Sequence, residues 1–182
     1  LVQEHLGAWT GSIPDPSVPP IQTPTSIRRF DYPMGDKVQS DIVIGHEAVN
    51  RKHPDFFSLR VADTILGKFG MMGRLGEKVR EEQGLAYYSY SSLDTEPDTG
   101  LWYSSAGVNP ASVEQAIESI LHEYDRLASE LVPDNELSDS QAYMTGTMPI
   151  SLETNSGVAT LLHSIELNDL GLDYLQQYQE TI

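Results

Sequence analysis

The sequence predicts an α+β domain in which an antiparallel-rich sheet carries helices packed on one face. Three features carry that expectation. An apolar run, Ile42-Val43-Ile44, sits inside "VQSDIVIGHEAV" (38–49). Two alternating segments, "LAYYSYSS" (85–92) and "LWYSSAGV" (101–108), flank the turn-rich "DTEPDTG" (94–100). A single apolar stripe of helical period runs through residues 112–131. The resulting order of strand, helices, hairpin, long helix and more helices describes antiparallel pairing with a helical layer to one side.

The elements follow in chain order. "SIPDPSVPPIQTPTS" (12–26) holds five prolines, each fixing φ and removing a donor, so it reads as an extended linker. Residues 1–25 are assigned to that Pro-rich linker and residues 26–182 to the domain. The opening "LVQEHLGAWTG" looks like the tail of a helix entered midway, and the chain is expected to be an excised piece. The 38–49 strand is expected to be buried on both faces. "HPDFFSLRVADTILGKFG" (53–70) places Phe57, Val61, Ile65, Leu66 and Phe69 at helical spacing, with Pro54 in its first turn. "GMMGRLGEKVREEQG" is a glycine-punctuated loop entering a short helix with Leu75 and Val79 inward and Gly84 as the cap. In the strand that follows, alternation puts Leu85, Tyr87, Ser89 and Ser91 on one face and Ala86, Tyr88 and Tyr90 on the other. Beyond the long helix, further helices are expected at about 133–148 and 155–169, and from Leu172 onward.

Composition narrows the function. At 39 % hydrophobic residues over 182 positions the chain can bury a sizeable core. There is no cysteine, which excludes disulfides, thiolate metal sites and cysteine nucleophiles. No apolar run reaches the roughly 18 residues that span a bilayer; no leader pattern opens the chain, which says nothing of compartment, and the cytoplasm is only a guess. The net charge is −16, unevenly placed. Residues 1–80 hold ten basic against nine acidic side chains, whereas residues 81–182 hold one against eighteen. Such an acidic half repels phosphate backbones and argues against nucleic acid as a partner. It could attract basic peptides, or simply be a solvated surface.

Few residues are placed for chemistry. No two of the five histidines lie within six residues of one another. Glu118 with His122, and His163 with Glu166, could each supply two metal ligands but lack an evident third. The strand serines stand outside any G-x-S-x-G elbow and read as a polar strand face. "GKFGMMG" lacks the ending of a phosphate loop, and "DNELSD" (134–139) reads as the acidic start of a helix rather than a calcium loop. That leaves Arg80, in the last turn before Gly84, and Tyr87, the third residue of the next strand. A helix reversing through glycine into a neighbouring strand could aim both donors at one spot, as suits a peptide carbonyl or its oxyanion. In the plainer alternative Arg80 pairs with Glu77 or Glu81 and Tyr87 is ordinary sheet packing.

The stretch from "DKVQSDIVIG" through "HPDFFSLRVADTILG" to "VREEQGLAYYSYSS" resembles the C-terminal, so-called inactive domain of the pitrilysin/insulinase-type zinc peptidases, which include mitochondrial processing peptidase. The similarity extends over roughly residues 26–182. It implies a metalloendopeptidase of two related α+β halves closing around a peptide substrate. Zinc would sit in an N-terminal catalytic half, on the same chain or a partner subunit, through an H-x-x-E-H motif. The C-terminal half of such enzymes supplies an arginine and a tyrosine that reach the substrate, at positions matching Arg80 and Tyr87. H-x-x-E-H is absent here, so this chain alone is expected to be inactive and to hold no metal. Arg74 and Gly76 stand where relatives often have a serine and a bulkier residue. The family also contains non-catalytic scaffold subunits, which is the alternative function; retention of Arg80 and Tyr87 favours the peptidase.

Overall fold

A computed structural model describes residues 1–11, 23–69 and 72–182. Most of the proline-rich stretch, residues 12–22, and Gly70 and Met71 of the glycine loop lie outside the described residues.

The sheet has three antiparallel strands, β1 (Ser40–Ala48), β2 (Ala86–Thr95) and β3 (Gly100–Val108), in the order β1-β3-β2. Glu96 to Thr99 close the β2–β3 hairpin, with the Glu96 N–H donating to the Thr99 carbonyl at 2.8 Å. β1 pairs with β3 alone, from Ser40 opposite Val108 to Ala48 opposite Gly100. It is therefore an outer strand, and the expectation of burial on both faces fails: Ile42 is buried, while Val43 is 69 % exposed. One side of the strand packs and the other meets solvent, as antiparallel sheets allow.

The described residues form six α-helices. A short α1 (Val2–Leu6) precedes the sheet, and α2 (Phe56–Asp63) follows β1. α2 continues as a wider π-wound segment, Thr64–Lys68, and a second π-wound segment, Gly76–Glu82, leads into β2. After the hairpin come α3 (Val113–Ser129), α4 (Asp134–Ser151), α5 (Asn155–Asn168) and α6 (Tyr174–Thr181). α4 starts right after Pro133 with Asp134 and Glu136 in its first turn, where acids suit the helix dipole. None of the helices among the described residues is long and apolar enough to cross a membrane.

The core lies between the sheet and these helices. α3 packs on β1 and β3, while the π-wound segments pack on β2. Leu66, Leu75, Val79 and Ile120 are completely buried there, each stabilising the fold by about 1.5–3 kcal/mol. The approach is close. A Cβ on Gly67 would lie 2.4 Å from the Ser91 backbone nitrogen, so the helix rests on the strand itself. Only small side chains fit beneath such a contact, which is why Ser89, Ser91, Ser104 and Ala106 line this face. The serines do form the polar strand face read from sequence, and it is buried.

Ser91 and Ser104 find partners above the sheet, whereas the buried Ser89 Oγ has none among the described residues. Asp63, wholly buried, accepts from Ser91 Oγ at 2.7 Å, Trp102 Nε1 at 2.9 Å and the Leu93 N–H at 3.2 Å. One carboxylate therefore joins α2 to both strands of the hairpin. Ser104 Oγ and Tyr124 Oη lie 2.9 Å apart, tying α3 to β3 in the same way. Outside the core, Arg29 grips Glu114 of α3 with two bonds of 2.7 and 3.0 Å, holding the segment before β1 against the domain.

Candidate functional site

The turn between the second π-wound segment and β2 carries both residues singled out by sequence. Gly84 has φ +63°, a left-handed conformation that a side chain would strain. Its N–H donates to the Arg80 carbonyl at 3.1 Å, and the Leu85 N–H donates to the Val79 carbonyl at 3.0 Å. Each bond reaches one residue further back than in the usual glycine-capped helix end, because the preceding turns are π-wound. Val79, fully buried, anchors the helix side of this closure.

Arg80 is partly buried, its side chain 37 % exposed, with Nε 3.5 Å from Glu81 Oε1. An exposed ion pair of this length is worth at most about 1 kcal/mol. The neighbouring Glu82 is taken by Lys78, whose Nζ donates to it at 2.5 Å. No hydrogen bond to the Arg80 guanidinium occurs among the described residues, so the group is positioned by its backbone and remains open to a ligand. The Glu81 contact expected in the plainer reading is therefore present, and weak.

Tyr87 is not ordinary sheet packing. The β2–β3 register steps from Ala86 opposite Val108 to Tyr88 opposite Gly107, leaving Tyr87 as the extra residue of a β-bulge. Its side chain is 80 % exposed. The bulge also breaks the expected alternation: Ala86 and Ser89 both face inward, and Tyr87 is separated from the serines it was expected to join. Bulges re-aim side chains in this manner. Arg80 and Tyr87 thus flank one turn, Tyr87 in solvent and Arg80 partly covered, and no hydrogen bond joins the two side chains.

Residues that sequence reasoning did not single out support this turn. Tyr88 crosses the outer face of β3 and its Oη donates to Asp41 Oδ1 of β1 at 2.8 Å. The ring passes where β3 has Gly107; a Cβ there would meet it at 2.5 Å. Gln39 Nε2 donates to the same Asp41 oxygen at 2.8 Å. The Tyr88 bond, then Gln39, hold the Asp41 carboxyl below its ordinary range, and burial, then Asp41, push the Tyr88 phenol up. Arg74, 4 % exposed, secures the other end of the π-wound segment through bonds of 2.9 and 2.8 Å to Glu136 of α4. A tyrosine in register with a glycine on the adjacent strand was the available signal for the Tyr88 strap. Nothing local announced the partner of Arg74.

Among the described residues no three His, Asp or Glu side chains are grouped to hold a metal ion. Glu118 and His122 line a shallow groove with Lys78 and Arg126, beside the Glu123–Arg126 pair at 3.0 Å, and gain no third ligand.

A three-stranded antiparallel sheet with helices packed on one face places the domain in the α+β class that the sequence predicts. Residues 1–144 match the family described as the peptidase M16 inactive domain, and the chain belongs to that family. It is 26 % identical over 164 residues to an uncharacterized zinc protease of Streptomyces coelicolor, covering 87 % of this chain and 36 % of that protein. Against the beta subunit of mitochondrial-processing peptidase from Bos taurus it is 29 % identical, covering 87 % and 32 % respectively. The chain therefore spans about a third of the length of these curated relatives. Among solved structures, the peptidase M16 inactive domain from Pseudomonas fluorescens superposes with a TM-score of 0.72 at 21 % identity, over 79 % of this chain and 34 % of that one.

Proposed function

We propose that this domain is the substrate-binding half of a zinc metalloendopeptidase, with Arg80 and Tyr87 holding the substrate's carbonyl. The observation that carries the reading is the bulge that turns Tyr87 into solvent beside an arginine without a hydrogen-bonded partner. A folded protein gains nothing from exposing a phenol on a bulge, whereas a bound peptide carbonyl accepts from both groups. As negative charge grows on that oxygen, two fixed donors stabilise it more than they stabilise the ground state. The family membership and the relatives named as zinc proteases support the same reading. Zinc, held by a catalytic half on the same chain or a partner subunit, would activate the attacking water. The residues of this domain bind and orient the peptide.

The test uses the complete enzyme. Arg80→Ala and Tyr87→Phe should each lower kcat/KM by about tenfold or more, the scale of losing one oxyanion donor, with zinc content unchanged. Unaltered turnover in both variants would remove the assigned roles. A complete protein with no H-x-x-E-H motif in itself or in any partner subunit would instead favour the scaffold function.

A further inference from the structure

A second pocket lies at the other end of the sheet. It is a cavity of about 240 Å³ enclosed by α2, α4, α5 and α6, with Thr95 at the end of β2 on its rim. Thr95 stands eight residues from Tyr87, so the two places are separated by roughly 26 Å along the strand.

Two guanidiniums line the cavity, and no carboxylate comes within 4.0 Å of either among the described residues, although acids outnumber bases 27 to 11 in this chain. Arg51 is only 8 % exposed. Its charge lies 3.9 Å over the Phe56 ring, and the guanidinium's one hydrogen bond among the described residues is long, 3.4 Å from Nη2 to Tyr174 Oη. Arg60 lines the same cavity, near enough to oppose the Arg51 charge. A buried cation without a counter-ion is costly, and a second one beside it adds to that cost. The Phe56, Phe57 and Tyr174 rings, 3.9, 5.3 and 5.8 Å from the Arg51 charge, offset part of that cost but supply no anion.

The remaining wall supplies the complement of a ligand. Tyr174 accepts from Arg51, which leaves its own O–H free to donate. Asn168 is 8 % exposed and donates through Nδ2 to the Ser164 carbonyl, but its Oδ1 is buried without a partner. Met144, Met148 and the Phe56 and Phe57 rings make the rest apolar. Such a site offers donors for one carboxylate, an acceptor for one adjacent N–H or O–H, and apolar walls for a side chain. Its volume falls below the roughly 300–1,000 Å³ of drug-sized sites, which fits a single residue.

We infer that this pocket binds a carboxylate flanked by an N–H donor and an apolar side chain, the chemistry of a peptide's C-terminal residue or of a free N-acylated amino acid. Arg51 and Arg60 clamp the carboxylate, and Asn168 Oδ1 takes the amide hydrogen. The inference shares no residue with Arg80 or Tyr87 and stands whether or not their role does.

Calorimetric titration of the complete protein tests it with three probes: acetyl-Ala-Ala-Leu with a free carboxylate, the same peptide as its C-terminal amide, and N-acetyl-leucine. The free acid should bind at least about tenfold more tightly than the amide, one ion-pair's worth of discrimination. Tighter binding of the peptide than of N-acetyl-leucine assigns the site to chain ends; equal binding assigns it to small acids. Arg60→Gln, on a partly buried side chain, should weaken the acid about fivefold to tenfold without loss of folding. Arg51→Met should abolish its binding while leaving the melting temperature equal or higher, since an unpaired buried charge is removed. A structural arginine would give the reverse. Equal affinity for acid and amide, or no binding of either up to about 10 mM, a free energy of only about −2.7 kcal/mol, would overturn the inference. So would a crystal structure of the complete protein with one of its own carboxylates seated on both guanidiniums.

Discussion

The two faces of the sheet use similar residue types for opposite ends. On the inner face, serines lie under a helix whose Gly67 touches the strand, and Ser91, Trp102 and Ser104 are turned toward Asp63 or Tyr124. On the outer face, one tyrosine, Tyr88, lies over Gly107 and reaches a carboxylate that is itself in solvent. A hydrogen bond made inside replaces none that water could offer, so its loss leaves donors unsatisfied; one made outside competes with water at every moment. The inner face should therefore carry stability, and the outer face and its bulged end should carry function. Substitutions on the two faces can break that division.

The largest effect is expected at Asp63. Asp63→Ala strands the Trp102 Nε1, Ser91 Oγ and Leu93 N–H donors in the core, and should cost about 4 kcal/mol in a urea unfolding experiment. A loss below about 1 kcal/mol would mean that water enters and replaces the carboxylate, and that the inner face is not the dry support described here.

A matched pair of glycines sharpens the contrast. At Gly67 an added methyl would lie 2.4 Å from the Ser91 backbone nitrogen, and only retreat of the whole helix relieves it. Gly67→Ala should destabilise by about 2–3 kcal/mol. At Gly107 the nearest atom, 2.5 Å away, belongs to the Tyr88 ring, which can swing aside. Gly107→Ala should cost about 1 kcal/mol or less, its chief consequence being a freed Tyr88. Thermal melts of the two variants decide this; equal losses would erase the difference between the faces.

The same contrast explains what could be read from sequence. Helices and hairpin were legible because their periods and turn residues are local, and the glycine cap was legible because only glycine adopts its φ easily. Depth was not. The π-wound segment buries four residues in a row, Thr64 to Gly67, where a regular helix would bury only a stripe. Asp63 stands seven residues after Phe56 and three before Leu66, a spacing that marked it as inward-facing had its charge not argued otherwise. The bulge at Tyr87 shifts a strand's faces by one residue and leaves no compositional trace. Arg80 and Tyr87 were singled out by their places at a helix end and a strand start, and resemblance then favoured a functional reading over the plainer one. Arg51 was missed because its environment comes from Tyr174, 123 residues away, and chain order carries no hint of that meeting.

The smallest effect concerns the outer strap and is read by its dependence on pH rather than by its size. The Asp41 carboxyl is held low by the Tyr88 hydroxyl, then by Gln39, with Lys37 adding a little. Because the unfolded chain binds that proton more readily, the strap's contribution is complete above the ordinary carboxylate value near pH 4 and fades as pH falls through the lower folded-state value. The Tyr88 phenol is raised, by burial first and then by its bond to Asp41. Its contribution is complete below about pH 10 and fades as pH climbs through the higher folded-state value. Subtracting the stability of Tyr88→Phe from that of the natural protein should therefore give a plateau between about pH 5 and pH 9 that narrows at both ends. Asp41→Asn should remove the acidic shoulder alone. Identical pH profiles for the natural protein and Tyr88→Phe would show that water outcompetes the phenol. The outer face would then contribute no stability through this pair, and its tyrosines would be left entirely to binding.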